Sequence, residues 1–197
     1  IGILAQSGGT VRAVECEDPG EVIGINNRVQ LAEAERICRD RIRQRVMLEG
    51  VTLIDPSTIY IDAQVRIGRD TVIWPGAHLL GNTEVGDNCT IGPNAYLENA
   101  IIGHGTAVQA GAIVRDSEVG SGCTVGPYCH IRDRSVIEDE ARIGSFTEVV
   151  RSRVGRRSKA LHFSYIGDTT IGENVNIGAG VVTCNFDGVK KNPTVIE

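Results

Sequence analysis

The stretch from Ser158 to Gly188, SKALHFSYIGDTTIGENVNIGAGVVTCNFDG, gathers side chains suited to handling a polar substrate. His162 brings an imidazole, a group whose ordinary pKa near ~6.5 suits taking a proton near neutral pH. Tyr165 and Asn176 bring a hydroxyl and an amide, which are suited to hydrogen-bonding the oxygens of a polar ligand. Upstream, Arg132 in HIRDRS brings a guanidinium that binds phosphate oxygens through two parallel donors. Each type also has a plainer use. A histidine can simply pack against or cover a coil, asparagines in repeat proteins form internal ladders, and Arg134, Arg151, Arg153 and Arg157 can make a solvated face.

These residues need a scaffold, and the sequence writes one from about Asp62 onward. Ile67, Ile73, Leu79, Val85, Ile91 and Leu97 stand six apart. Ile102 follows after five, and then come Val108, Val114, Val119, Val125, Ile131, Ile137, Ile143, Val149 and Val154. Every third marker falls at 67, 85, 102, 119, 137, 154 and 171, so a larger step of near-constant length overlies the smaller one. Three short faces per coil, with aliphatics inward and small or turn-forming residues at the corners, predict a prism of parallel strands. The period is too short for helical solenoids. Inward aliphatics fix the coil but not its sense of winding.

Before the repeat, Arg28 to Leu48 lacks Gly and Pro, and Leu31, Ala34, Cys38 and Ile42 recur at helical spacing. This predicts a solvated connecting helix stopped near Gly50. Residues 1–24 carry β-like pieces (IGIL, TVRAVEC, EVIG) between turn signals. The chain opens at Ile1 without Met inside an apolar run and closes on TVIE, so both ends look cut.

Composition agrees with a repeat core. Of 197 residues, 24 are Gly and only 4% are aromatic, so the interior must be built from Val, Ile, Leu and Ala. A net charge of −5, from 20 Lys and Arg against 25 Asp and Glu, argues against a nucleic-acid partner. Cys16, Cys38, Cys89, Cys123, Cys129 and Cys184 form no CxxC pair, and no signal segment or long apolar span is evident, which points to the cytoplasm with no membrane partner.

Two non-repeating stretches, GINNRVQLAEAE from Gly24 to Glu35 and the Ser158 to Gly188 segment, resemble the bacterial bifunctional glucosamine-1-phosphate acetyltransferase and N-acetylglucosamine-1-phosphate uridyltransferase family, in the same order. The resemblance implies a mainly β chain: a left-handed parallel β-helix over 51–197, a linker helix over 28–50, and over 1–27 a remnant of an α/β uridyltransferase domain. It implies acetyl transfer from acetyl-CoA to the amino group of glucosamine-1-phosphate. The other half of the enzyme would then make UDP-N-acetylglucosamine, a cell-envelope precursor, with UTP and Mg²⁺. A homotrimer with sites between subunits is implied as well. The family's β-helix and its tail continue past the point matching Glu197, so the fragment alone is expected to be inactive.

Within that resemblance His162 matches the catalytic base, and Arg132, Tyr165 and Asn176 match sugar-phosphate contacts. Ala179, Asn185, Phe186 and Lys191 match acetyl-CoA contacts, and Asn26 in GINNR matches a Mg²⁺ ligand whose co-ligands would lie upstream. Phe186 replaces the family's Tyr, so a hydroxyl contact there is lost. In FTEVVRS, Val150 stands where the family has a lysine, and Arg151 is the only charge left of a Lys-Lys pair. Adjacent strand positions face opposite ways, so Arg151 is not expected to replace that lysine, and restoring Lys at 150 is expected to tighten substrate binding.

Two rival readings remain. One is a non-catalytic β-helix scaffold on a sugar nucleotidyltransferase. The other is a zinc β-helix enzyme resembling carbonic anhydrase, but His78, His104 and His130 follow one another at about one and a half coils, which does not align them.

Overall fold

Alternation of one inward aliphatic with one outward residue gives each coil three two- or three-residue strands, and the computed structural model, which describes residues 2–197, stacks these into a parallel β-helix. The first face carries Thr52–Leu53, Val72–Ile73, Thr90–Ile91, Ala107–Val108 and Thr124–Val125, and the second carries Tyr60–Ile61, His78–Leu80, Tyr96–Glu98, Ile113–Arg115 and His130–Arg132. The third runs from Arg66–Ile67 through Glu118–Val119 to Thr169–Ile171 and Thr194–Ile196. All pairings between these strands are parallel, and each residue meets its partner about one coil on, as Val119 meets Ile137.

The predicted markers fill the interior. Ile73, Leu79, Ile91, Leu97, Val114, Val125, Ile131, Ile143, Val149 and Val154 show no exposure, and only Ile67, in the first coil, is partly buried. Each such side chain contributes roughly 1.5–3 kcal/mol of burial.

Corners are closed by buried small polar residues whose hydroxyls or thiols span neighbouring coils. Thr71 Oγ1 donates to the Gly86 carbonyl at 2.9 Å and accepts the Cys89 N–H at 3.0 Å. Cys89 Sγ then donates to Gly103, Thr106 to Gly120, Cys123 Sγ to Glu138 and Ser158 to Gly172. Buried backbone groups at a corner lack a ladder partner, and this column supplies one. Cys89 and Cys123 therefore stand in the same column as Thr71, Thr106 and Ser158. Desolvation pushes the Cys123 thiol up to about 11 and the Cys129 thiol to about 12.

Two strands depart from the short pattern. Arg142–Val150 and Lys159–Gly167 each run without a break round the corner between the first and second faces, and pair with each other along their length. After Ile171 the repeat also loosens. Val154 pairs with Ile171, but Ile171 pairs with Ile196, a much wider step along the chain, so a loop between Val182 and Thr194 stands out from the prism.

The helix spans Arg28–Leu48. Asn27 Oδ1 accepts the Gln30 N–H at 2.9 Å as its N-cap, and Gly50 at φ +103° ends it, with its N–H on the Met47 carbonyl. The predicted apolar stripe holds only at its end: Leu31 and Cys38 are exposed, whereas Ile42 and Val46 pack on the first coil. Buried Arg43 there donates to the Ser57 and Ile59 carbonyls.

The β-like pieces expected over residues 1–24 are corrected. Gly2–Gln6 is helical, Pro19–Glu21 is a 3-10 turn, and the described residues before Thr52 contain no strand; Ile1 of IGIL lies outside the described residues. A short apolar run is ambiguous between helix and strand, and no ladder partner for it exists among residues 2–40.

Candidate functional site

The long strand Lys159–Gly167 places the candidate residues. His162 falls where it turns the corner, in register with Ser145, and its exposed imidazole makes no hydrogen bond or ion pair among the described residues. Three exposed rings, Tyr128, Phe146 and Phe163, lie along the same corner; Tyr128 and Phe146 stack with centroids 5.9 Å apart. Tyr128 and Phe146 both adopt positive φ, 52° and 56°, which bulky residues seldom do.

Tyr165 lies on the second face, half-buried, opposite Glu148 on one side and Val182 on the other. Its N–H donates to the Val181 carbonyl at 2.9 Å, and its carbonyl accepts the Thr183 N–H at 3.0 Å. Gly167 leaves room for its ring: a Cβ there would stand 2.7 Å from the Tyr165 hydroxyl and from Asn185 Nδ2. Asn176 is exposed on the first face, opposite Lys159, so the corner bearing His162 separates it from Tyr165. The register that sets Lys159 against Asn176 and Tyr165 against Val182 puts exposed Ala179 one coil beyond His162.

The protruding loop carries Asn185, Phe186 and Lys191. Phe186 and Lys191 form an antiparallel bridge at its neck, and both are exposed. Asp187 organises its tip, accepting the Lys190 and Val189 N–H groups and the Asn192 amide, and these bonds hold its carboxyl down at about 2. Asn185 is buried at the base. Its amide donates to Asp168 Oδ2 at 2.5 Å, and its carbonyl accepts the Asn192 N–H at 2.7 Å.

Asp168 was not foreseen, and it organises this end of the second face. Arg151 grips it through Nε and Nη2, the Asn185 amide adds a third bond, and together with the positive charge these hold its carboxyl down at about 2. Arg151 leaves the strand at φ +47° and also reaches Asp133 at 3.1 Å. Arg132 is likewise engaged, by Glu148 at 2.9 Å and by Asp133 at 2.7 Å. Val150, between Arg132 and Gly167 in the register, is fully covered. The second-face guanidiniums are thus matched by Asp133, Glu148 and Asp168.

The signal was present in the spacing. Asp116, Asp133, Arg151, Asp168 and Asn185 follow one another at the step of the coil itself, the same step that separates the inward markers Val119, Ile137, Val154 and Ile171.

Asn26 is exposed, and its N–H is capped by Gln30 Oε1 at 2.7 Å. Mg²⁺ calls for about six oxygen ligands in octahedral geometry. One amide does not meet that need, and among the described residues no three His, Cys, Asp or Glu side chains are placed to hold a metal ion. His78 instead stacks on Tyr60 at 4.6 Å and lies 6.0 Å from Tyr96. No helix among the described residues is long and apolar enough to cross a membrane.

The family model described as the GMPPB C-terminal domain matches residues 57–165. Curated proteins called bifunctional protein GlmU match along the chain. The one from Synechococcus elongatus is 50% identical over 94% of this chain and 41% of its own length. That of Geobacillus thermodenitrificans is 51% identical over 100% of this chain and 43% of its own length, and that of a Geobacillus species 50% identical with the same coverage. The chain therefore spans about two fifths of the length of these relatives, between 41% and 43%. With its hexapeptide coils and a family model that matches more than half of its length, the chain belongs to the GMPPB C-terminal domain family and is a homologue of the bifunctional protein GlmU.

Proposed function

We propose that this chain is the acetyltransferase portion of a bifunctional enzyme and serves acetyl transfer from acetyl-CoA to the amino group of glucosamine-1-phosphate. The observation that carries the reading is the free, exposed imidazole of His162 at a corner flanked by Tyr165 on the second face and Asn176 on the first, in a homologue of GlmU. A scaffold has no use for that grouping.

In this reading His162 takes a proton from the sugar ammonium. The freed amine attacks the thioester carbonyl, a C–N bond forms, the C–S bond breaks, and the CoA thiolate leaves and takes up the second proton that the nitrogen sheds in becoming an amide. Tyr165 and Asn176 hold sugar oxygens. Ala179, Asn185 and Lys191 serve acetyl-CoA, with Phe186 offering a ring in place of a hydroxyl. Arg132 meets the phosphate only in competition with Glu148 and Asp133, which already engage it.

Two features favour a homotrimer with sites between copies: Asn176 and Tyr165 sit on different faces of one prism, and the Tyr128–Phe146–Phe163 stripe beside His162 is exposed in the single chain. Residues 1–27 and 28–50 are read as the end of a uridyltransferase domain and its linker helix, with 51–197 as the β-helix. The uridyltransferase half would use UTP and Mg²⁺ to make UDP-N-acetylglucosamine, and Asn26 would be one ligand completed by residues of that half. Six unpaired cysteines favour the reducing cytoplasm.

Mass spectrometry of reactions between the natural full-length protein, acetyl-CoA and a set of amino sugars tests the reading. N-acetylglucosamine-1-phosphate is the expected product, and no acetylated sugar from any of them would refute it.

A further inference from the structure

On the first face, Arg142, Lys159 and Asn176 stand in consecutive coils, each exposed and each followed by a buried residue, Ile143, Ala160 and Ile177. Arg142 and Lys159 are direct register partners, so their strands lie about 4.8 Å apart. Like charges directly opposite each other in a sheet are destabilising. Earlier coils avoid this, since the same row reads Val72, Thr90, Ala107 and Thr124.

No carboxylate relieves the pair. Neither Arg142 nor Lys159 makes an ion pair among the described residues, and the nearby acids are engaged elsewhere, Glu140 by Arg156 and Glu173 by Arg157. Arg157 itself donates to Asn174 at 2.8 Å. Arg142, Lys159 and Asn176, with Glu140, Arg157 and Asn174, line a shallow depression of about 460 Å³. The contrast with the second face is sharp, for there Arg132 and Arg151 are matched by Glu148, Asp133 and Asp168.

We propose that Arg142 and Lys159, with the Asn176 amide beside them, form a phosphate site of this protein and provide the cationic contact that Val150 and the engaged Arg132 do not. The inference rests on the acetyltransferase reading for its ligand, since both substrates of that reaction carry phosphate groups. Lys159 and His162 lie on one strand, roughly 10 Å apart. A phosphorylated ligand seated on the pair therefore reaches the corner where the imidazole stands. Two cations one strand apart plus an amide donor match the oxygens of a phosphate monoester, through charge-assisted hydrogen bonds.

The test uses the natural full-length protein, wild type against Arg142→Gln and Lys159→Gln. The first readout is melting temperature during titration with inorganic phosphate in otherwise phosphate-free buffer. Wild type is expected to rise with phosphate, and each variant to start higher, relieved of repulsion, and to lose most of the response. A wild type indifferent to phosphate, or variants that respond as it does, would overturn the site. The second readout is KM for glucosamine-1-phosphate, acetyl-CoA and 3′-dephospho-acetyl-CoA. Loss of one charge-assisted contact is expected to raise a KM about tenfold. A rise for the sugar phosphate alone identifies its phosphate as the ligand. A rise for acetyl-CoA that vanishes with the dephosphorylated donor identifies the 3′-phosphate, and unchanged KM values for both substrates overturn the role in catalysis. If no sugar is acetylated at all, the acetyltransferase reading falls, and the phosphate titration still decides the site.

Discussion

Arg151 grips both carboxylate oxygens of Asp168 one coil further on, Nε to Oδ1 at 2.6 Å and Nη2 to Oδ2 at 3.0 Å. The same carboxylate holds the Asn185 amide, so the fork that secures the corner also secures the base of the protruding loop. Asp168→Asn is expected to destabilise the protein by about 1.5–3 kcal/mol at neutral pH, the usual worth of hydrogen bonds to a charged group. The pH dependence has a definite sign. The folded carboxyl sits at about 2 against an ordinary 3.8, so its stabilisation is complete above the ordinary value and fades as pH falls from there toward 2. Urea midpoints of wild type and Asp168→Asn should therefore converge on acidification, and a gap that stays constant down to pH ~2 contradicts the assignment.

Two glycines separate fold from site. At Gly144 an added Cβ strikes the backbone carbonyl of Leu161, whereas at Gly167 the nearest atoms it meets belong to the side chains of Tyr165 and Asn185. Gly144→Ala is expected to cost about 3 kcal/mol or more, since packed backbone cannot step aside. Gly167→Ala is expected to cost under about 1.5 kcal/mol in stability while lowering acetyl transfer by displacing the two side chains. Paired melting and activity measurements check this, and equal losses of stability would count against it.

Thiol reactivity should divide the cysteines into two sets. Cys16, Cys38 and Cys184 are exposed, while Cys89, Cys123 and Cys129 are buried. Burial pushes all three buried thiols upward, Cys123 to about 11 and Cys129 to about 12, so at neutral pH they lack the reactive thiolate. Iodoacetamide should modify three of the six in the native protein and all six in denaturant. Rapid native labelling of Cys123 would mean that its corner column is open.

Val150→Lys is expected to lower the melting temperature rather than restore a contact. Position 150 is fully covered, between Arg132 and Gly167 in the register and next to Arg151, so a lysine brings an ammonium into a covered site already flanked by guanidiniums. An unchanged melting temperature together with a lower KM for the sugar phosphate would show that the lysine reaches the surface.

The faces were legible because a side chain that must point inward recurs at a fixed step, and Ile73 through Val154 obey it without exception. The helix was legible from its spacing, but its stripe was over-read: Leu31 is 41% exposed, because amphipathic spacing shows which residues share a face and not which turns meet a core. The loop between Val182 and Thr194 was hidden because it interrupts the repeat that made the rest readable. The partners of Arg132 and Arg151 were missed for another reason. In a coil the neighbour that neutralises a residue can lie a whole turn away along the chain, as Glu148 does from Arg132 and Asp168 from Arg151, and of these partners only Asp133 stands beside Arg132 in HIRDRS.

The central claim is that His162 is the base of an acetyl transfer. It is tested most directly by rates of glucosamine-1-phosphate acetylation for the natural full-length protein and its His162→Ala variant. The His162 imidazole is exposed and makes no hydrogen bond or ion pair among the described residues, so removing it should leave the melting temperature unchanged. The predicted result is a loss of kcat of about 10²–10⁴-fold, the worth of general-base catalysis. A variant that acetylates at the wild-type rate would contradict the account.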